Sequence, residues 1–210
     1  MKKRISILAL ALALLLSACG KSDDPAAQEE PAAPAAMQLT RVTLTEEEQA
    51  LLRLADVPPD SLTVYAYQAD DRLRSIVFHR YVLSDALTWE QDDSFNFSIS
   101  NAAGLAAQGR AAFRVQNGRP AVLNLLSGQS TSRAQAPDLP DGLPESNPFV
   151  VFPLSQAADI EYGTETPVLI RSQRSDGTVQ TADASLFHET DRFSGSDFTE
   201  AFTMTFEAEA

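Results

Sequence analysis

The chain has 210 residues, with 29 acidic and 16 basic side chains and a formal net charge of −13. That balance argues against a nucleic-acid partner and against a surface that hugs anionic lipid. Cys19 is the single cysteine, which excludes a disulfide within the chain.

Taken in order, Lys2, Lys3 and Arg4 precede an unbroken apolar run from Ile7 to Leu16. Its length suits the core of a secretory signal, about 7–15 residues, and is short of the roughly 20 that a membrane-crossing helix needs. Leu16-Ser17-Ala18-Cys19 closes the run with an aliphatic residue, two small residues and a cysteine. It resembles the lipobox of bacterial lipoproteins. The resemblance covers residues 1–19 only and implies a signal peptide over 1–18, cleaved just before Cys19. Cys19 would then carry diacylglycerol on sulfur and become the N-terminus, with palmitate among the implied acyl chains. Two acyl chains make a durable tether where one is marginal. Gly20, where an Asp would favour retention in an inner membrane, implies an outer-membrane destination if the cell has one. The expected location is therefore lipid-anchored on the extracytoplasmic face.

Residues 19–40 are rich in Ala, Pro and acid and have no aromatic side chain. Such a segment buries too little apolar surface to offset its ordering entropy, so it is expected to be a disordered tether. A single domain is expected over 41–210, large enough for one shared core.

That domain opens on a helix. Thr45 with Glu48 three residues on forms a capping box, Leu51, Leu52, Leu54 and Ala55 supply an apolar stripe, and Pro58-Pro59 ends it. The pattern predicts that the helix closes one end of a sheet. Strands follow at 62–68 and 73–83, with Ala69-Asp70-Asp71 read as a hairpin turn, and then at 87–91 and 95–100. Segments 111–116 and 121–126 flank Asn117-Gly118, the strongest hairpin signal in the chain, and Pro120 suggests an edge or a bulge. The Pro- and Gly-rich stretch 127–148 reads as a long connection. Strands are predicted again at 149–154, 168–173, 178–186 and across Phe202–Glu207. Many short strands with little helix give an all-β fold, an antiparallel sandwich or a barrel-like relative of one.

Chemistry is sparse. His79 sits in an apolar strand and reads as a hydrogen-bonded structural histidine. His188-Glu189-Thr190-Asp191 lacks the spacing of a zinc motif. Gly128-Gln129-Ser130-Thr131-Ser132 misses the nucleophile-elbow pattern at its last position. Asp92-Asp93 with Asn96, and Asp176-Gly177, offer oxygen ligands but no EF-hand. No phosphate-binding loop is present, so no metal, cofactor or catalytic residue is assigned. Tyr65, Tyr67, Tyr81, Trp89 and Tyr162 could stack on sugar rings, as in many carbohydrate-binding modules, or pack into the core. The leading expectation is a non-enzymatic domain that binds a ligand, a glycan or a cell-envelope protein. The alternatives are a carboxylate-dependent extracellular hydrolase and a structural subunit of an envelope assembly. Replacing Cys19→Ala is expected to abolish acyl labelling and to release the protein from membranes or leave its precursor uncut. Unchanged labelling would overturn the lipidation assignment.

Overall fold

Alternation of inward apolar and outward polar side chains sorts the strands into two packed antiparallel sheets. The computed structural model describes residues 36–143, 148–176 and 182–209, and Ala36–Ala210 forms one compact unit. In chain order the elements are β1 (Gln38–Arg41), α1 (Glu46–Leu54), β2 (Leu62–Gln68), β3 (Leu73–Leu83), β4 (Trp89–Ser100) and β5 (Gln108–Arg114). There follow β6 (Val122–Ser127), β7 (Ser130–Gln135), β8 (Val150–Pro153), β9 (Ala158–Asp159), β10 (Glu165–Gln173) and β11 (Phe198–Ala208). A six-stranded sheet runs β7-β6-β5-β2-β1-β9, and a five-stranded sheet runs β4-β3-β11-β10-β8. The fold is the expected all-β sandwich with one α-helix.

One core fills the space between the sheets. The six-stranded sheet contributes Leu39, Tyr65, Tyr67, Phe113, Leu123 and Leu125, and the five-stranded sheet faces them with Ile76, Phe78, Phe202, Met204 and Phe206. Phe113 touches Tyr65, Phe78 and Phe202 with ring centroids 5.8–6.3 Å apart, an edge-rich packing that favours the ring quadrupoles. The Tyr65 hydroxyl accepts from the Leu154 amide at 2.9 Å and donates to the Val168 carbonyl, so it stitches one sheet to the other. Burial pushes its pKa up.

The far end of the core is ionic. Glu200 on β11 and Arg171 on β10 are fully buried, and Arg80 on β3 is nearly so. Glu200 accepts from both Arg80 and Arg171, Arg80 also binds Asp92, and Arg171 donates to the Arg119 carbonyl at 2.9 Å. The Arg171 guanidinium lies over the Phe149 ring, 4.5 Å from its centroid. Burial pulls the pKa of Arg171 down, and Glu200 opposes that.

Several expected boundaries move. The expected tether over 19–40 overlaps β1, where Leu39 is only 1 % exposed and pairs with Tyr67, so the domain starts before residue 41. The signal, Cys19 and the tether as far as residue 35 lie outside the described residues. Ala69-Asp70-Asp71 is a corner, not a hairpin, because β2 and β3 belong to different sheets. There Asp70 accepts from Arg72 and from Tyr162, at 2.6 Å, and these bonds bring its pKa down to about 2. The segments expected at 87–91 and 95–100 merge into one strand, β4, which begins only at Trp89 and whose pairing with β3 shifts opposite Arg80 and lets Asp92 meet that guanidinium.

The Asn117-Gly118 turn does join β5 to β6, with Gly118 at φ +63°. Pro120 sits ahead of β6, which is an interior strand rather than an edge. The expected loop 127–148 contains β7, folded back on β6 through the left-handed Gly128 (φ +56°). Residues 184–186, expected to end a strand, belong instead to the 3₁₀ turn Ala184–His188, which Asp183 caps by accepting from the Ser185 amide at 2.9 Å. Residues 178–181 of that expected strand lie outside the described residues. Replacing Glu200→Ala leaves two buried guanidinium groups without their shared carboxylate and is expected to cost about 3–5 kcal/mol. Urea unfolding followed by circular dichroism checks this, and a loss below about 1 kcal/mol would remove the network from the account of stability.

Candidate functional site

The outer face of the six-stranded sheet reads as rows of side chains set by register. Val64, Ala112, Asn124 and Arg133 lie abreast on β2, β5, β6 and β7. The next row holds Ala66, Arg110, Leu126 and Thr131. This face carries apolar side chains at positions where a sheet with one solvated face would carry polar ones.

Helix α1 rests over one side of these rows. The expected capping box forms: the Glu48 amide donates to Thr45 Oγ1 at 3.2 Å and the Thr45 amide donates to Glu48 at 2.8 Å. Arg110 donates to Glu48 at 2.9 Å and holds the first turn to the sheet. The Thr45 backbone bond and then the Arg110 bond hold the Glu48 carboxyl below its ordinary range, so it stays charged beside Arg110. The three- and four-residue spacing of Glu48, Leu51 and Leu52 sets them on the face of α1 that looks toward the strands.

Yet α1 buries none of its side chains. Leu51 is 60 % exposed, Leu54 is 85 % exposed, and Leu126 on the sheet below is 45 % exposed. Among the described residues these are the exposed large apolar side chains, and all three belong to α1 or to the strand beside it. Between helix and sheet runs a groove of ≈ 630 Å³, within the range of small-molecule sites. Its walls are Leu44, Leu51 and Leu52, its floor Val64, Ala112 and Leu126, and Arg110 and Arg133 also line it. The expected role of α1, closing one end of a sheet, gives way to half-covering a sheet face.

The other expected candidates are used elsewhere. Tyr65 and Tyr67 are core side chains, 0 % and 2 % exposed, and offer no platform for a sugar. Trp89 stacks on Phe187 with centroids 5.0 Å apart and planes 7° from parallel, and its Nε1–H donates to the Phe187 carbonyl at 2.6 Å. The turns Ala184–His188 and Thr190–Phe193 thereby cover part of the outer face of the five-stranded sheet with Phe187 and Phe193. Tyr162 is spent on Asp70.

His79 lies half-buried on that same outer face, hydrogen-bonded to Gln91 at 3.0 Å and stacked on Tyr81. The Tyr81 hydroxyl donates to Glu165 at 2.9 Å, and burial followed by that bond pushes it up to about 12. His188 is exposed against Phe187.

Of the oxygen ligands, Asp92 is turned to Arg80, Asp93 is exposed, and Asp176 binds Arg174. The Asn96 side chain and Gly177 lie outside the described residues. Ser130 opens β7 on the β6–β7 hairpin, with no strand-to-helix elbow around it. Among the described residues no three His, Cys, Asp or Glu side chains gather as a metal group would require, and no helix is long and apolar enough to cross a membrane. The groove escaped sequence reasoning because Leu126 and Arg133 reach it only through the side-by-side pairing of β5, β6 and β7. Its one readable trace was the leucine stripe of α1. No protein-family model matches the chain, and the comparisons with curated proteins and with solved structures likewise give no match.

Removing the cap by Thr45→Ala is expected to cost α1 about 1 kcal/mol. Because no side chain of the helix is fully buried, hydrogen exchange should quicken across Glu46–Leu54 while the strands keep their protection. Equal quickening in β2 and β5 would show that α1 is part of the core after all.

Proposed function

We propose that this protein is a lipid-anchored binding protein of the extracytoplasmic face. In this reading Cys19 carries the lipid and the preceding residues are its signal. The sandwich takes an apolar ligand in the groove beneath α1 and performs no chemistry on it. In a cell with an outer membrane, Gly20 favours that membrane. The lipobox supports the anchoring, and the collection of exposed leucines at one groove carries the binding. An amphipathic helix ordinarily buries its apolar stripe, and contiguous exposed apolar surface marks a binding site.

A second reading, a subunit of an envelope assembly, draws on Leu54. It is 85 % exposed and does not line the groove, so a ligand held there would leave it uncovered.

A soluble form spanning residues 20–210 retains the whole compact unit. Its native state is expected to enhance the fluorescence of anilinonaphthalene sulfonate, and the pair Leu51→Asp with Leu126→Asp should remove that enhancement without lowering the melting temperature. Equal enhancement in the pair, or none in the parent, would count against a ligand site at this groove.

A further inference from the structure

We infer that the ligand of this groove is a single-chain fatty-acid-type carboxylate, with its tail between α1 and the six-stranded sheet and its head group on Arg133. The inference rests on the groove being a ligand site, as proposed above. Three features carry it.

The first is shape and lining. A groove of ≈ 630 Å³ with Leu44, Leu51, Leu52, Val64, Ala112 and Leu126 along it suits a slender hydrocarbon tail, and each methylene taken from water adds to binding. The second is charge. In a chain of net charge −13 the lining nonetheless holds two arginines. Arg110 is occupied by Glu48, whereas the ion pairs among the described residues include none at Arg133. A guanidinium presents a planar fork that matches a carboxylate through two hydrogen bonds.

The third is direction. At the helix side of the groove Glu48 and Arg110 satisfy one another, so that side offers an anionic head group no free cation. Arg133 lies on β7, an edge strand of the sheet, and Thr131, two residues before it on the same face, also lines the groove. The head group therefore belongs at the β7 side and the tail at the helix side.

The test uses residues 20–210 and displacement of anilinonaphthalene sulfonate by hexadecanoate, its methyl ester and hexadecyltrimethylammonium, each below its micelle concentration. Hexadecanoate should bind about tenfold or more tightly than the ester, as expected for a charge-assisted pair. Arg133→Gln should erase that preference while leaving ester binding unchanged, Arg133→Lys should keep part of it, and Leu126→Asp should weaken both ligands. Arg133 is exposed, so its replacement is not expected to disturb folding, and unchanged melting curves verify that. Equal affinity for acid and ester, preference for the cation, or a preference that survives Arg133→Gln would overturn the assignment of the head group. Dye binding without displacement by any of the three would overturn the fatty-acid inference and leave the ligand site standing. Failure of the dye as well would remove the site itself.

Discussion

Glu200 is buried without any contact with water, and an isolated carboxylate there would be costly enough to prevent folding. It is tolerated because Arg80 from one neighbouring strand and Arg171 from the other both donate to it, while Asp92 balances the second positive charge. A slip of β11 by one residue would turn Glu200 outward and leave both buried guanidinium groups without their shared carboxylate. The network therefore sets the register of β3, β11 and β10 together. Buried ion pairs contribute little net stability over apolar replacements. Registry is what this one supplies. The same register aligns Phe202, Met204 and Phe206 with the opposing sheet, so the aromatic core depends on it.

The two outer faces of the sandwich are finished differently, and that asymmetry is the basis of the functional reading. On the five-stranded sheet, the turns after β10 bring Phe187 and Phe193 onto Trp89 and Phe152, and the apolar surface there is consumed internally. On the six-stranded sheet, α1 is fastened by its cap and by the Glu48–Arg110 pair, both of them exposed polar contacts. An exposed ion pair is worth less than about 1 kcal/mol. The helix is thus held in place without being packed down, and Leu51 and Leu54 stay exposed.

The site was half legible. Thr45, Glu48 and the leucines of α1 could be read because caps and stripes are local, within one or two helical turns. Arg110, Leu126 and Arg133 could not, because their meeting depends on β5, β6 and β7 lying side by side. The polar run Ser130-Thr131-Ser132-Arg133 has no apolar alternation, so β7 was hidden in an expected loop. The misread aromatics follow the same logic: a strand pattern shows that Tyr65 and Tyr67 share a face but not which face is covered. Arg80 and Arg171 inside apolar strands were the one visible trace of the buried network, and their shared partner lay on a strand distant in sequence.

What is written along the chain itself is whatever acts over short range. That includes the apolar run Ile7–Leu16 with the Ser17-Ala18-Cys19 that follows it, the capping box, the Asn117-Gly118 turn and the period-two strands that give an all-β sandwich. The pairing of strands, by contrast, is a competition among distant segments. The sheet change at Asp70, the joining of 89–100 into one strand, the burial of Glu200 and the groove under α1 all came from that competition. Local propensity favours extended backbone in every strand alike, and only long-range burial and charge pairing choose which neighbour each strand takes.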